Sequence, residues 1–344
     1  MSAAVPLPPL PERFHLGDAA AAGVPRHTLR RLVRDGAVRV VSRDVYAAPL
    51  TLGDGEPWQL VRQEHLERCR DWLARRPGHV ASHQTAAIVH GLDLSVHPAM
   101  DVHLTSVERC PRSRRAPGLQ LHHADSVRNE TAEVDGLRVT TVARTVADVL
   151  RSAQPASGVA MLDQAVRAGQ VTEAQVRLVL DTQHRWRGRP RALEALALLD
   201  PRRESWLESY SFVRLHQLGL PLPRPQVDVL DDGFHLVGRV DGLLGTVFLE
   251  ADGAGKYLLA AHDRGLTEEE SRRQTLDAQR VRHAALERLG LTGVRWTVSE
   301  IRHSPELVMA RVRQALRSAH GATVTGWVRD GSRVVRPVPH DPLV

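Results

Sequence analysis

Residues 15–49 read HLGDAAAAGVPRHTLRRLVRDGAVRVVSRDVYAAP, and their punctuation decides the first part of the fold. Asp18 to Ala22 is an alanine-rich helical run, stopped by Gly23, because glycine readily takes the left-handed conformation at a helix end. Pro25 stands where a second helix starts, since the N–H it lacks would be unpaired at that position anyway. That helix runs to Arg34 and ends at Asp35-Gly36. Its Leu29, Leu32 and Val33 recur at i, i+3, i+4 as one apolar stripe. The opposite face carries His27, Thr28, Arg30, Arg31 and Arg34. AVRVV and VYAA then read as two short strands joined by Ser42-Arg43-Asp44. A short helix, a tight turn, a basic helix and a hairpin make the winged helix-turn-helix plan. Its second helix can enter the major groove of DNA, and wing arginines such as Arg39 and Arg43 reach phosphates. The competing reading is a small helical hairpin with a solvated arginine face.

Residues 23–47, GVPRHTLRRLVRDGAVRVVSRDVYA, are similar to the N-terminal domain of AbiEi-type antitoxins of abortive-infection systems. The resemblance implies a winged helix over residues 13–52, a DNA partner, repression of the chain's own operon and a cognate toxin protein.

Working outward, the chain has 344 residues, too many for one ordinary core. Its 42% hydrophobic and 25% charged residues are those of folded protein. Lys plus Arg number 46 against 40 Asp plus Glu, and almost all the positive charge is arginine. Guanidinium is permanently charged and suits bidentate phosphate contacts, though arginine richness also follows from a GC-rich genome. Two cysteines, Cys69 and Cys110, exclude a disulfide framework or a cysteine metal cluster. No stretch reaches the length of a membrane span, and MSAAVPLPPLPERF is not built as a signal peptide, so a soluble, cytoplasmic protein is expected. Residues 1–12 are expected to be disordered and 321–344 to form a loose tail.

The expected fold class is α/β in the wider sense of an α+β multidomain protein. A mixed middle domain occupies residues 58–200. ASHQTAAIVHGLDL, MDVHLTS, LQLHHA and GLRVTTVARTVADVL within it resemble the segment that follows the winged helix in actinobacterial AbiEi-like proteins. His83, His90, His103, His122 and His123 lack a compact metal-ligand spacing and are read as ordinary histidines. Arg144 and Asp148, four apart, read as a helix-surface pair.

The third unit opens with a helix, ESWLESYSFVRLHQLGL, followed by three strand candidates, QVDVL, FHLVGRVDGLL and TVFLEAD. If Gly245-Thr246 form a two-residue hairpin loop, Leu244 pairs with Val247. Counted back along that register, Asp241 falls opposite Glu250, with Cβ atoms roughly 5 Å apart, and Asp252 lies diagonal. Val240, Leu244, Val247, Leu249 and Ala251 share the other face. Directly opposed carboxylates repel, and a divalent cation is the economical compensation. Mg²⁺ takes one or two carboxylates plus water and substrate phosphate, and can activate a water. Lys256 and Glu208 complete the candidate catalytic set.

Ser205-x-x-Glu208, then VDGLL ending at Leu244, then FLEADGAGKY over 248–257, resemble the PD-(D/E)XK nuclease superfamily. The branch is that of uncharacterised domains related to very-short-patch-repair endonuclease. The resemblance implies a restriction-endonuclease-like αβββαβ domain over residues 201–320, with Asp241 and Glu250 binding the metal. Thr267-x-x-Glu270 reads as the capping box of a long helix ending at Gly290, and VRWTVSEI as the last strand. Two departures stand out. Asp252 occupies the place of the motif lysine, and Gln279-Arg280-Val281-Arg282 stands where relatives carry Glu-Lys-x-Arg. Two functions therefore remain open: a Mg²⁺-dependent endonuclease directed to DNA by its winged helix, in phage defence or a toxin–antitoxin setting, or a non-catalytic antitoxin and autorepressor.

Overall fold

A computed structural model describes residues 10–42, 44–50, 57–92, 100–108, 112–124, 127–252 and 268–338. The chain forms two compact units, Met1–Val149 and Leu150–Val344. Together they combine helices with mixed sheets, the α+β class expected.

In the first unit, β1 (Arg13–His15) leads into α1 (Leu16–Ala21) and α2 (Arg26–Arg34), then the hairpin of β2 (Arg39–Ser42) and β3 (Val45–Ala47). The three strands form a sheet in the order β1-β3-β2. Pro25 is the N-cap of α2, in extended backbone. Phe14, Ala19, Val24, Leu29 and Val38 close one small core, and Phe14 stacks on Tyr46 with ring centroids 5.8 Å apart. The strand β1 is an addition to the plan that the sequence predicts. Three residues are too few to show a period of two, and only pairing with β3 gives them a role.

Next come α3 (Pro57–Ala74), β4 (His79–Ala81), α4 (His83–Val89), β5 (Val102–Ser106), β6 (Arg114–Ala116), β7 (Leu119–His122), β8 (Thr131–Val134), β9 (Leu137–Thr140) and α5 (Val142–Ser152). The six strands form a mixed sheet ordered β6-β7-β5-β4-β9-β8. Cys69 and Leu73 of α3 and Ala86 and Val89 of α4 pack on one face with Val102, Leu104, Leu119 and Val139.

The second unit takes the last residues of α5, from Leu150, and continues with α6 (Pro155–Arg167), α7 (Glu173–Thr182) and α8 (Arg189–Leu196). The stretch expected as one middle domain, 58–200, is thus divided between the two units, and α6 packs on α9 (Trp206–Gln217). A buried ion pair fastens this junction: Arg203 Nη1 donates to Asp163 Oδ2 at 2.8 Å.

Then follow β10 (Arg224–Leu230), β11 (Leu236–Leu244), β12 (Val247–Asp252), α10 (Glu268–Arg288), β13 (Thr292–Thr297), α11 (Val298–His303), α12 (Pro305–Ser318), β14 (Trp327–Asp330) and β15 (Arg333–Val335). The sheet is ordered β13-β12-β11-β10-β14-β15. β10, β11 and β12 are an antiparallel meander, and β13 returns parallel to β12 after α10. Helix, meander, helix and parallel strand follow one another in the order the sequence predicts. Leu244 pairs with Val247, and Gly245 has φ +62°, as the two-residue loop requires.

Three expectations need correction. Val240 does not share a face with Leu244: it packs with Leu243, Phe248 and Leu286, whereas Leu244, Val247, Leu249 and Ala251 face α9, α11 and α12. The alternation shifts phase beside Gln226, which sits at φ +54° between the Pro225↔Gly242 and Val227↔Val240 pairs. Nor are residues 321–338 loose. They add β14 and β15 to the sheet, with Val328 fully buried. Residues 10–12, expected to be disordered, are held as well: Leu10 packs against the first small core and the Glu12 carbonyl accepts the Ala48 N–H at 2.8 Å. Residues 1–9 and 339–344 lie outside the described residues, as do Thr267 and the side chain of Glu270. Among the described residues no helix is long and apolar enough to cross a membrane.

Candidate functional site

The basic helix comes first. Leu29 is 1% exposed and anchors α2 to the small core. His27, Arg30, Arg31 and Arg34 consequently stand on the exposed side, with Thr28 half-buried. Arg26, at the helix start, is exposed beside them; it precedes the apolar stripe, so the periodicity does not point to it. This row of guanidinium groups on a short, well-anchored helix is suited to phosphate and base-edge contact.

The wing differs from expectation. Arg39 Nη2 donates to Glu67 Oε2 at 2.6 Å and its Nε to the Ala48 carbonyl at 2.9 Å. Its side chain is only 16% exposed. Ser42 Oγ donates to Asp71 Oδ2 at 2.8 Å, and Arg13 pairs with the same aspartate. The wing base is therefore tied to α3, and Arg39 serves that tie rather than an open phosphate contact. Arg43 lies outside the described residues.

The acidic constellation comes second. Asp241 and Glu250 sit on neighbouring strands, one step beyond the last ladder pair, Gly242↔Leu249. There Asp241 Oδ2 accepts the Ala251 N–H at 2.8 Å. Glu250 is 7% exposed, and Arg282 Nη2 of α10 donates to its Oε2 at 2.7 Å. Arg295, paired with Glu250 across β12 and β13, lies 3.9 Å from that oxygen and 3.5 Å from Asp252 Oδ2. Its Nη1 also donates to Gln279 Oε1 at 3.0 Å. Gly238 makes the reach of Arg282 feasible, since a Cβ there would stand 2.9 Å from the Arg282 Cδ.

Glu208 belongs to a different arrangement. It is 2% exposed and accepts from Glu204 N at 2.9 Å, Ser205 Oγ at 2.8 Å and Gln226 Nε2 at 2.8 Å. Ser205 Oγ accepts the Glu208 N–H in return, so Ser205-x-x-Glu208 caps α9. Lys256 lies outside the described residues.

Two arginines thus flank the acidic cluster and offset much of the repulsion that called for a cation. Both are distant in sequence from the carboxylates; Arg282 falls in the motif stretch of α10, whereas no local pattern marks Arg295 as their partner. Among the described residues no three His, Cys, Asp or Glu side chains are arranged to hold a metal ion. Arg282 holds Oε2 of Glu250, so a Mg²⁺ ion at this site would draw on the other carboxylate oxygen, Oε1.

The middle histidines are partly brought together. His83 and His122 stack with centroids 3.5 Å apart and planes 15° apart, and His122 Nε2 lies 2.9 Å from His103 Nδ1. Lone pairs of stacked rings lie in nearly parallel planes and do not converge on one ion at the ~2 Å a metal needs. His90 is bound to the Thr140 carbonyl instead, at 2.7 Å. Burial pushes the His103 imidazole down to about 4 and that of His65, on α3, to about 3. Arg144 and Asp148 are not a surface pair. They are 2% and 0% exposed, joined at 2.9 Å, with Glu130 on the same guanidinium.

A family described as "Transcriptional regulator, AbiEi antitoxin" matches residues 14–49, the segment from β1 through the wing. Two curated proteins of Mycobacterium tuberculosis, "Uncharacterized protein Rv2248" of strain H37Rv and "Uncharacterized protein MT2308" of strain CDC 1551, are each 29% identical to this chain over 246 residues. That alignment covers 71% of this chain and 84% of each relative.

Proposed function

From a winged helix whose sequence matches transcriptional-regulator antitoxins, we propose that this chain is a DNA-binding regulator of antitoxin type, with α2 as its recognition helix. The observation that carries the reading is the exposed row of Arg26, Arg30, Arg31 and Arg34 opposite the buried Leu29. The partners are DNA and a cognate toxin protein. Fluorescence anisotropy on DNA from upstream of the chain's own gene tests the first. Arg30→Ala with Arg31→Ala should weaken binding and lower the log–log salt slope by about 0.9 for each phosphate no longer neutralised. An unchanged affinity and slope would sink the assignment of α2.

A second reading, Mg²⁺-dependent cleavage of DNA, is favoured by the helix–meander–helix–strand order and by Asp241 and Glu250 on adjacent strands. Arg282 and Arg295 weigh against it, because they already offset the charge a metal would neutralise. Plasmid incubated with Mg²⁺ or Mn²⁺ and wild-type protein, Asp241→Ala or Arg282→Ala decides between them. Cleavage by the wild type that Asp241→Ala abolishes supports the nuclease. Intact plasmid with all three proteins leaves the regulator.

A further inference from the structure

One face of the second unit's sheet presents an apolar patch. Opposite the core of Val227, Val229 and Val328, paired residues Arg239, Asp228, Arg329 and Val334 form one row across β11, β10, β14 and β15. In the next row Trp327 carries the Phe234 ring, stacked at 5.2 Å and 28°, and the Arg336 guanidinium 4.6 Å from its centroid. Phe234 is 58% exposed, Leu236 59%, Val334 40% and Val338 71%. Four of the nine exposed large hydrophobics among the described residues thus fall on or beside these strands. Phe234 also has φ +62°, a backbone conformation a bulky side chain rarely adopts.

The charges around this patch choose its occupant. Arg239 and Arg329 share Asp228, and Arg336 pairs with Asp232, while Glu204 lies 3.4 Å from Arg239. The three arginine side chains nevertheless stay 53%, 44% and 50% exposed. Three cations and three carboxylates are paired on or beside this patch, with Arg239, Asp228 and Arg329 alternating in sign across neighbouring strands, so the surface has no net pull on a polyanion. A balanced patch of this kind can meet its own copy without like-charge repulsion. An isologous contact needs that property, because each copy must present the same patch to the other. Aromatic and arginine side chains at the centre are also the residue types that dominate such interfaces.

We propose that two copies of this chain dimerise through this face, with Phe234 and Trp327 at the centre of a two-fold contact. The test is sedimentation velocity on the full chain across a concentration series, with melting followed by circular dichroism. The wild type should sediment as a dimer. Phe234→Asp, which suits the left-handed backbone, should weaken self-association at least roughly tenfold with its melting curve unchanged. Val334→Glu, an exposed change on the adjoining strand, should do the same and stands in if the first variant misfolds. A wild type that stays monomeric at every concentration, or a dimer kept by whichever variant folds, overturns the proposal. So does a monomeric wild type whose affinity for DNA falls with Phe234→Asp, since nucleic acid would then be the occupant.

Discussion

Glu208 and Arg144 show how one side chain's surroundings decide its work. Its position on the opening helix makes Glu208 a candidate fourth acidic ligand, but in the structure Ser205 caps α9 and donates to the Glu208 carboxylate. The structure realises the cap, adding Glu204 N and Gln226 Nε2 as donors. Glu208→Ala removes the acceptor for three hydrogen bonds in a nearly inaccessible place. It should lower stability by about 2–3 kcal/mol in urea titration. An unchanged midpoint would return Glu208 to the role of a spare carboxylate. Arg144→Met takes the guanidinium away from Asp148, whose carboxylate is fully buried. The expected loss is about 3–5 kcal/mol by the same titration, the range for breaking one side of a buried ion pair. A true surface pair would cost less than about 1 kcal/mol, so the two readings separate cleanly.

At the scale of the element, the α2 helix and the β11–β12 hairpin are legible because each is specified by neighbours in sequence. Gly23, Pro25 and Gly36 punctuate the helix, and Gly245 sets a loop whose register follows from counting. Replacing Gly245 by Val forces a β-branched residue to φ +62° and should destabilise the second unit by about 1–3 kcal/mol, read as a drop in melting temperature. The wing is legible as a hairpin but not in its contacts. Arg39, on β2, is committed to Glu67 of α3, 28 positions away. Arg39→Ala should therefore leave the salt slope of DNA binding as it is, whereas Arg30→Ala reduces it; an equal fall for both would place Arg39 on the phosphates after all.

For the whole molecule, the six-stranded sheets bring together residues that no local pattern joins. β14 returns from beyond α12 to pair with β10, burying Val328 and closing the core around Val324 and Leu286. A chain ending at residue 320 should lose cooperative unfolding of the second unit, as seen in a broadened thermal transition, while a dispensable tail would leave it sharp. The first unit carries an acid limit. His65 and His103 are held by burial at about 3 and about 4 against an ordinary 6.5, so the unfolded chain takes up protons first as the pH falls. Their contribution is complete above pH 6.5 and is lost as pH descends towards 4 and 3, by at most about 1.4 kcal/mol per unit for each group. Denaturation midpoints measured from pH 7 to 4 should fall, and His103→Gln should flatten that fall.

By itself the sequence determined what short-range chemistry can specify: the helix ends, the two-residue hairpin loop, the meander with its following helix and strand, and the arginine-bearing face of α2. Punctuating residues and hydrophobic period act within a few positions, so these features needed no partner. Only the tertiary structure decided the state of the charges. Arg282 and Arg295 beside Glu250, Arg39 on Glu67, Arg144 on Asp148 and the stacked histidines are all set by which surfaces meet. An ionic group's role depends on its distance to others and its access to water, and neither is written along a single chain. Register alone places Asp241 and Glu250 on neighbouring strands, where the structure has them. What that proximity does is governed by the two arginines that the fold delivers to them.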